Sequence, residues 1–181
     1  MRWCGSTYQK IMVLTLIGYR ATGKTSLARS LAAALGWDAI DADVEIERRA
    51  GKSIKQIFEE DGEPVFRDIE ASVIADLCQR DKLVIASGGG APMREASREA
   101  MRRAGTVVWL RATPETILAR MTGDVTTTER RPDLTDRGGL QEIVDLLELR
   151  DPIYRETADF EVDTEHKSIE QITEAILERI R

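Results

Sequence analysis

The chain has 181 residues, 42% hydrophobic and 32% charged, which suits one domain with a full core. Its 26 Lys and Arg against 32 Asp and Glu leave a net charge of −6 and a pI near 5.0, so nucleic acid is not expected as the main partner. No apolar run approaches the ~20 residues of a membrane span, and the two cysteines, Cys4 and Cys78, have neither metal-site nor disulfide spacing. A cytoplasmic protein without a membrane partner is the expectation.

Met1 to Lys10 reads as an extension ahead of a single domain over 11–181. The apolar run Ile11 to Ile17 predicts a strand, and Leu27, Leu31 and Leu35 predict a helix that ends at Gly36. Between them lies Gly18-Tyr19-Arg20-Ala21-Thr22-Gly23-Lys24-Thr25, a P-loop in its proper strand–loop–helix setting. Glycines let successive N–H groups face a phosphate, and the helix N-terminus adds partial positive charge. Lys24 would reach the β- and γ-phosphates, and the Thr25 hydroxyl would hold Mg²⁺.

Ala39 to Asp43 predicts a short strand, followed by helices over Val44–Ala50 and Ile54–Glu60, the latter capped by Ser53 and ended by Gly62. Phe66, Ile69, Val73, Ile74 and Leu77 carry a longer helix to about Arg80. Leu83 to Ser87 is an apolar strand running into Gly88-Gly89-Gly90. A helix over Glu95–Arg103, a strand over Thr106–Leu110 and a helix from Pro114 to about Met121 follow. Thr122 to Gly139 breaks the pattern, and a loop this long is functional or disordered. Leu140, Ile143, Val144 and Leu147 resume a helix, Asp159 to Asp163 alternates like an edge strand, and Ser168 caps a last helix carrying Ile169 to Ile180. His166, the single histidine, is expected in an exposed turn. Strands alternating with helices, three of them almost wholly apolar, predict an α/β fold: a five-stranded parallel sheet with helices on both faces. Ligands then bind at the C-terminal strand ends, where the P-loop, Asp41/Asp43 and the triple glycine all fall.

If the strand continues through them, Asp41 and Asp43 face one side. One would serve Mg²⁺ through water and the other accept a proton from a substrate hydroxyl; otherwise they cap the next helix. Arg67 and Glu70 are three apart on one helix. Either Glu70, on the apolar stripe, fixes the pose of Arg67, or the two form an ordinary surface pair. Arg150 continues the stripe Ile143, Leu147, Tyr154, as a pocket rim or a snorkelling side chain. Two inward arginines would clamp a carboxylate or phosphate. The triple glycine gives a ligand close access to backbone. Arg131, in the long loop, stabilises transferring phosphate or is a solvated charge; Arg120 lies near the nucleotide or caps its own helix.

These residues, in this order and spacing, resemble the shikimate kinase family over nearly the whole chain. The resemblance rests on the P-loop, Asp41-Ala42-Asp43, Ser53-Ile54 with Ile57-Phe58, Gly62-Glu63 with Phe66-Arg67 and Glu70, Gly88-Gly89-Gly90, Arg131-Pro132, and Arg150 with Tyr154. It implies a P-loop kinase fold with a mobile lid at about 122–138 and a substrate-binding helical region at about 43–80. It also implies ATP-dependent phosphorylation of the shikimate 3-hydroxyl. An acidic surface without an obvious apolar patch makes a monomer the expectation. Shikimate would lie against Asp43, Arg67, Gly89 and Arg150, with Glu70 and Gly90 close by. ATP would lie on Ala21, Thr22, Gly23, Lys24, Thr25 and Ser26, Mg²⁺ on Thr25 with Asp41, Arg131 on the phosphates and Arg120 near the adenine. Asp133 departs from the family's usual leucine and puts a negative charge near Arg131. A kinase for another hydroxylated acid such as gluconate, or a nucleotide-binding regulator without transfer activity, are the competing readings. The second anion pocket argues against the regulator.

Overall fold

The computed structural model describes residues 13–123 and 139–180. Five strands, β1 (Val13–Ile17), β2 (Asp38–Asp41), β3 (Leu83–Ala86), β4 (Gly105–Arg111) and β5 (Phe160–Asp163), form one sheet in the order β2-β3-β1-β4-β5. Every pairing is parallel. Eight α-helices among the described residues flank it: α1 (Lys24–Leu35), α2 (Ala42–Ala50), α3 (Ile54–Glu60), α4 (Gly62–Leu77), α5 (Glu95–Ala104), α6 (Pro114–Gly123), α7 (Gly139–Thr157) and α8 (Ile169–Ile180). A 3₁₀ turn over Ala91–Met93 follows the triple glycine.

The strand period of two divides the core. Val13, Ile17, Ile85, Val107 and Trp109 face one way and pack on α2 to α5, with Phe66, Val73, Ile74 and Leu77 of α4 and Tyr154 of α7. Leu14, Leu16, Val84, Val108 and Leu110 face the other way and meet Leu27 and Leu31 of α1 and Ile172 and Ile176 of α8. Each such buried side chain contributes roughly 1.5–3 kcal/mol, so both faces of the sheet are held firmly. The central strand β1 therefore presents its C-terminal end, and the loop that follows it, from a rigid base.

Local chemistry sets the helix starts. Ser53 Oγ accepts from the Gln56 N–H at 3.2 Å while Gln56 Oε1 accepts from the Ser53 N–H at 2.8 Å, a capping box. Ser168 and Gln171 repeat it at α8, at 3.3 and 2.9 Å. Asp41 overturns the expected strand end: its Oδ1 accepts from the Asp43 N–H at 2.9 Å, so it caps α2 and the helix begins at Ala42. Asp43 thus lies in a helical first turn and does not share a strand face with Asp41. Asp61 is the C-cap of α3, and Gly62, at φ 85°, turns the chain into α4 rather than ending α3.

The expected long loop is helical at both described ends, through Gly123 and from Gly139. Its interior, including Arg131, lies outside the described residues, as does the N-terminal extension with Cys4. His166 is exposed in a turn. No helix of the described residues is long and apolar enough to cross a membrane.

Candidate active site

The phosphate loop is shaped by backbone conformation. Gly18, at φ 137°, lies so close to β4 that a Cβ there would stand 2.4 Å from the Leu110 carbonyl oxygen, so the position accepts only glycine. Ala21 at φ 59° and Gly23 at φ 87° hold left-handed conformations, and this curl makes the concave backbone that binds anions. Gly23 is the N-cap of α1 and has no side chain to occupy the first-turn N–H groups. Those groups and the helix dipole point at the concavity. Lys24 is buried, and its Nζ donates to the carbonyls of Gly18 at 3.0 Å and Tyr19 at 2.6 Å, which keeps the ammonium inside the loop. On the far side Arg120 of α6 reaches from the Thr164 hydroxyl (3.1 Å) and carbonyl (3.0 Å) to the Ala21 carbonyl (3.5 Å). It bridges to another segment rather than capping its own helix.

At the mouth of the loop the Thr25 hydroxyl donates to Asp41 Oδ2 at 2.6 Å. A neutral and a charged hard oxygen stand side by side, a donor set that fits Mg²⁺. No group of three or more His, Cys, Asp or Glu among the described residues could hold a metal ion. An ion here would take its other ligands from phosphate and water, as Mg²⁺ does with nucleotides.

A second cluster is assembled from distant elements. Glu70 of α4 is only 2% exposed, and its Oε2 accepts from Arg67 Nη1 at 2.7 Å. Glu63 Oε1 accepts from Nε and Nη2 of the same guanidinium at 3.1 and 3.0 Å, and Arg67 Cζ lies 5.1 Å from the Phe66 ring centroid. Arg67 is thereby fixed on three sides. A Cβ on Gly90 would stand 2.3 Å from Arg67 Nη1. A side chain here would have to displace that guanidinium, so the glycine leaves room for Arg67 as well as access for a ligand. At the next glycine, a Cβ on Gly89 would meet the Gly18 carbonyl oxygen at 3.4 Å and Arg150 Nη1 at 3.6 Å. Arg150 of α7 is 7% exposed. Adjacent glycines thus bring the arginines of α4 and α7 to one patch, against the first residue of the phosphate loop. Asp43 sits half-buried one step beyond the Thr25–Asp41 pair.

Two tyrosines are integral to this junction and were not singled out as site residues by the sequence. The Tyr154 hydroxyl donates to the Gly89 carbonyl at 2.5 Å, and burial pushes its pKa up to about 12, so it stays a donor. The Tyr19 ring lies 5.7 Å from Arg150 Cζ, and burial raises its pKa too. A phenol on the inward stripe of α7 was the available signal for Tyr154; Tyr19 had none beyond its place in the loop.

A parallel sheet carrying a phosphate loop, with a second cationic cluster beside it, defines a P-loop phosphotransferase. A family model described as shikimate kinase matches residues 20–181. A shikimate kinase of Rhodopirellula baltica is 42% identical over 164 residues, covering 91% of this chain and 88% of that protein. The structure of an Acinetobacter baumannii shikimate kinase in complex with shikimate superposes with a TM-score of 0.88 at 37% identity, covering 96% of this chain and 94% of that one. A gluconokinase of Sinorhizobium meliloti shares the fold, with a TM-score of 0.56 at 15% identity over 94% of this chain and 92% of that one. The chain belongs to the shikimate kinase family.

Proposed function

We propose that the protein transfers the terminal phosphoryl group of ATP to the 3-hydroxyl of shikimate, giving shikimate 3-phosphate on the route to aromatic amino acids. The observation that carries this reading is the convergence of Arg67 and Arg150 on Gly89 and Gly90 beside the loop. Paired guanidinium groups suit a carboxylate, and shikimate carries one carboxylate and several hydroxyls. Glu70 would hold Arg67 in its pose, and Tyr154 would hold the Gly89 carbonyl.

Phosphoryl transfer asks for positioning and charge neutralisation more than covalent chemistry. ATP would occupy the backbone of Ala21, Thr22, Gly23, Lys24, Thr25 and Ser26, with Arg120 beside the adenine. Lys24 and Arg131 would offset the charge of the transferring group. Thr25, with Asp41 through water, would hold Mg²⁺, which supplies further charge neutralisation when bound. Asp43 would orient the acceptor hydroxyl and take its proton. Exclusion of water from the closed cleft would protect the phosphate from hydrolysis. A cytoplasmic monomer is the corresponding solution form.

The test is ADP release with Mg·ATP across shikimate, gluconate and nucleoside monophosphates. Turnover confined to shikimate is the expected result. Faster turnover of gluconate would establish the competing kinase, and the absence of ADP release with every acceptor in the panel would favour a nucleotide-binding regulator.

A further inference from the structure

Arg20 occupies a variable position of the phosphate loop, where phosphate is bound by backbone and a long cation is not needed. Its side chain, 13% exposed, turns to the first turn of α7 and donates from Nη2 to Glu142 Oε1 at 3.1 Å. Glu142 is 1% exposed, a burial that a carboxylate tolerates only with cationic or hydrogen-bonding partners. The two residues are 122 apart in sequence. Glu142 and Arg150 are on one helix, a little over two turns apart, and so lie on the same face. The Tyr19 ring is near both arginines: Arg20 Cζ and Arg150 Cζ each lie 5.7 Å from its centroid. The backbone of Arg20 also lies near the glycine run, its N 3.7 Å from where a Gly89 Cβ would stand.

Two guanidinium groups therefore share one aromatic ring, and only one of them faces Gly89. Without Glu142, the charge of Arg20 would repel Arg150 and compete with it for an anion. We infer that Arg20 and Glu142 form one positioning unit that seats Tyr19 against Arg150 and thereby sets affinity for the acceptor's carboxylate. The inference rests on the reading of Arg150 as an acceptor-binding group. A purely architectural role differs in its consequences: Arg20 is a loop residue, so general distortion would weaken ATP at least as much as the acceptor.

The experiment is a double-mutant cycle on the full chain, with KM measured separately for shikimate and for Mg·ATP. Arg20→Met and Glu142→Leu should each raise the shikimate KM by about tenfold, because each breaks the ion pair that seats Tyr19 against Arg150. The ATP KM should move by less than about threefold, because the substitutions change side chains directed toward α7 and leave the loop backbone that would hold the phosphates in place. The double variant should cost little more than the larger single, since both substitutions break the same contact. Arg20→Lys should recover part of the loss. Glu142→Gln, which keeps shape and hydrogen bonding, gives the reading if Glu142→Leu does not fold, and should still raise the shikimate KM. Additive effects in the double variant, or a rise in ATP KM equal to that for shikimate, would overturn the inference while leaving wild-type phosphorylation of shikimate intact. Failure of the wild type to use shikimate would instead strike the functional reading itself.

Discussion

The phosphate loop and the acceptor cluster are built on opposite plans. The loop is local: eight consecutive residues, Gly18 to Thr25, held by left-handed backbone at Ala21 and Gly23 and by the contact of Gly18 with β4. The acceptor cluster is collected from α4, the glycine run and α7, and is held by side-chain ion pairs such as Arg67–Glu70. Backbone sites bind whatever fits their concavity; side-chain sites choose. On the proposed function, the first can be common to many kinases while the second would set the substrate. They touch at Gly89, where the Gly18 carbonyl oxygen lies 3.4 Å from the Cβ position.

Perturbing each side should give different signatures. The largest effect is expected from Lys24→Ala, which removes the charge inside the loop and should lower kcat by about 10³ at saturating substrates. Retained turnover would dissolve the distinction, since the loop would then not serve transfer. Asp43→Asn, between the two regions, should lower kcat by about 10² in steady-state assays with nucleotide affinity nearly unchanged. Gly90→Ala sharpens the contrast on the acceptor side. Its methyl group must displace the Arg67 guanidinium, so the shikimate KM should rise about tenfold while ATP binding holds. A change confined to ATP would place Arg67 in the wrong region.

The smallest effect concerns the scaffold beneath the acceptor cluster. Glu45 accepts from Arg48 at 2.8 and 2.9 Å and from Arg49 at 2.8 Å, and Arg49 also bonds Asp76 of α4 at 2.5 Å. Hydrogen bonds, from Arg48 first and then Arg49, lower the Glu45 pKa from 4.5 to about 2. A depressed folded pKa means the stabilisation is complete above 4.5 and is lost as pH falls toward 2. Thermal melts of Glu45→Gln should therefore show a shallower loss of stability across that window than wild type. An identical slope would mean the pair contributes nothing to the scaffold.

The same contrast explains what could be read from sequence. Leu27, Leu31 and Leu35 announced α1, and Ser53 announced α3, because periodicity and capping act over a few residues. The loop was legible for that reason as well. The strand end was set two residues too late, at Asp43, because the Asp41 carboxylate bonds the backbone two residues on, a local contest between strand and cap that propensity does not decide. Glu70 stood evenly between a surface pair and a buried one until the fold placed it inside. Gly90 leaves room for Arg67, 23 residues earlier, and the partner of Arg20 is 122 residues away; no local pattern encodes such pairings.

The central claim is that Arg67 and Arg150 together grip the acceptor's carboxylate. Shikimate methyl ester tests it directly, measured as acceptor with wild type, Arg67→Ala and Arg150→Ala. Esterification should raise the wild-type KM at least about tenfold, the cost of a lost charge-assisted contact, and should add much less in either variant. An ester used as well as the free acid, or a penalty undiminished in both variants, would contradict the account.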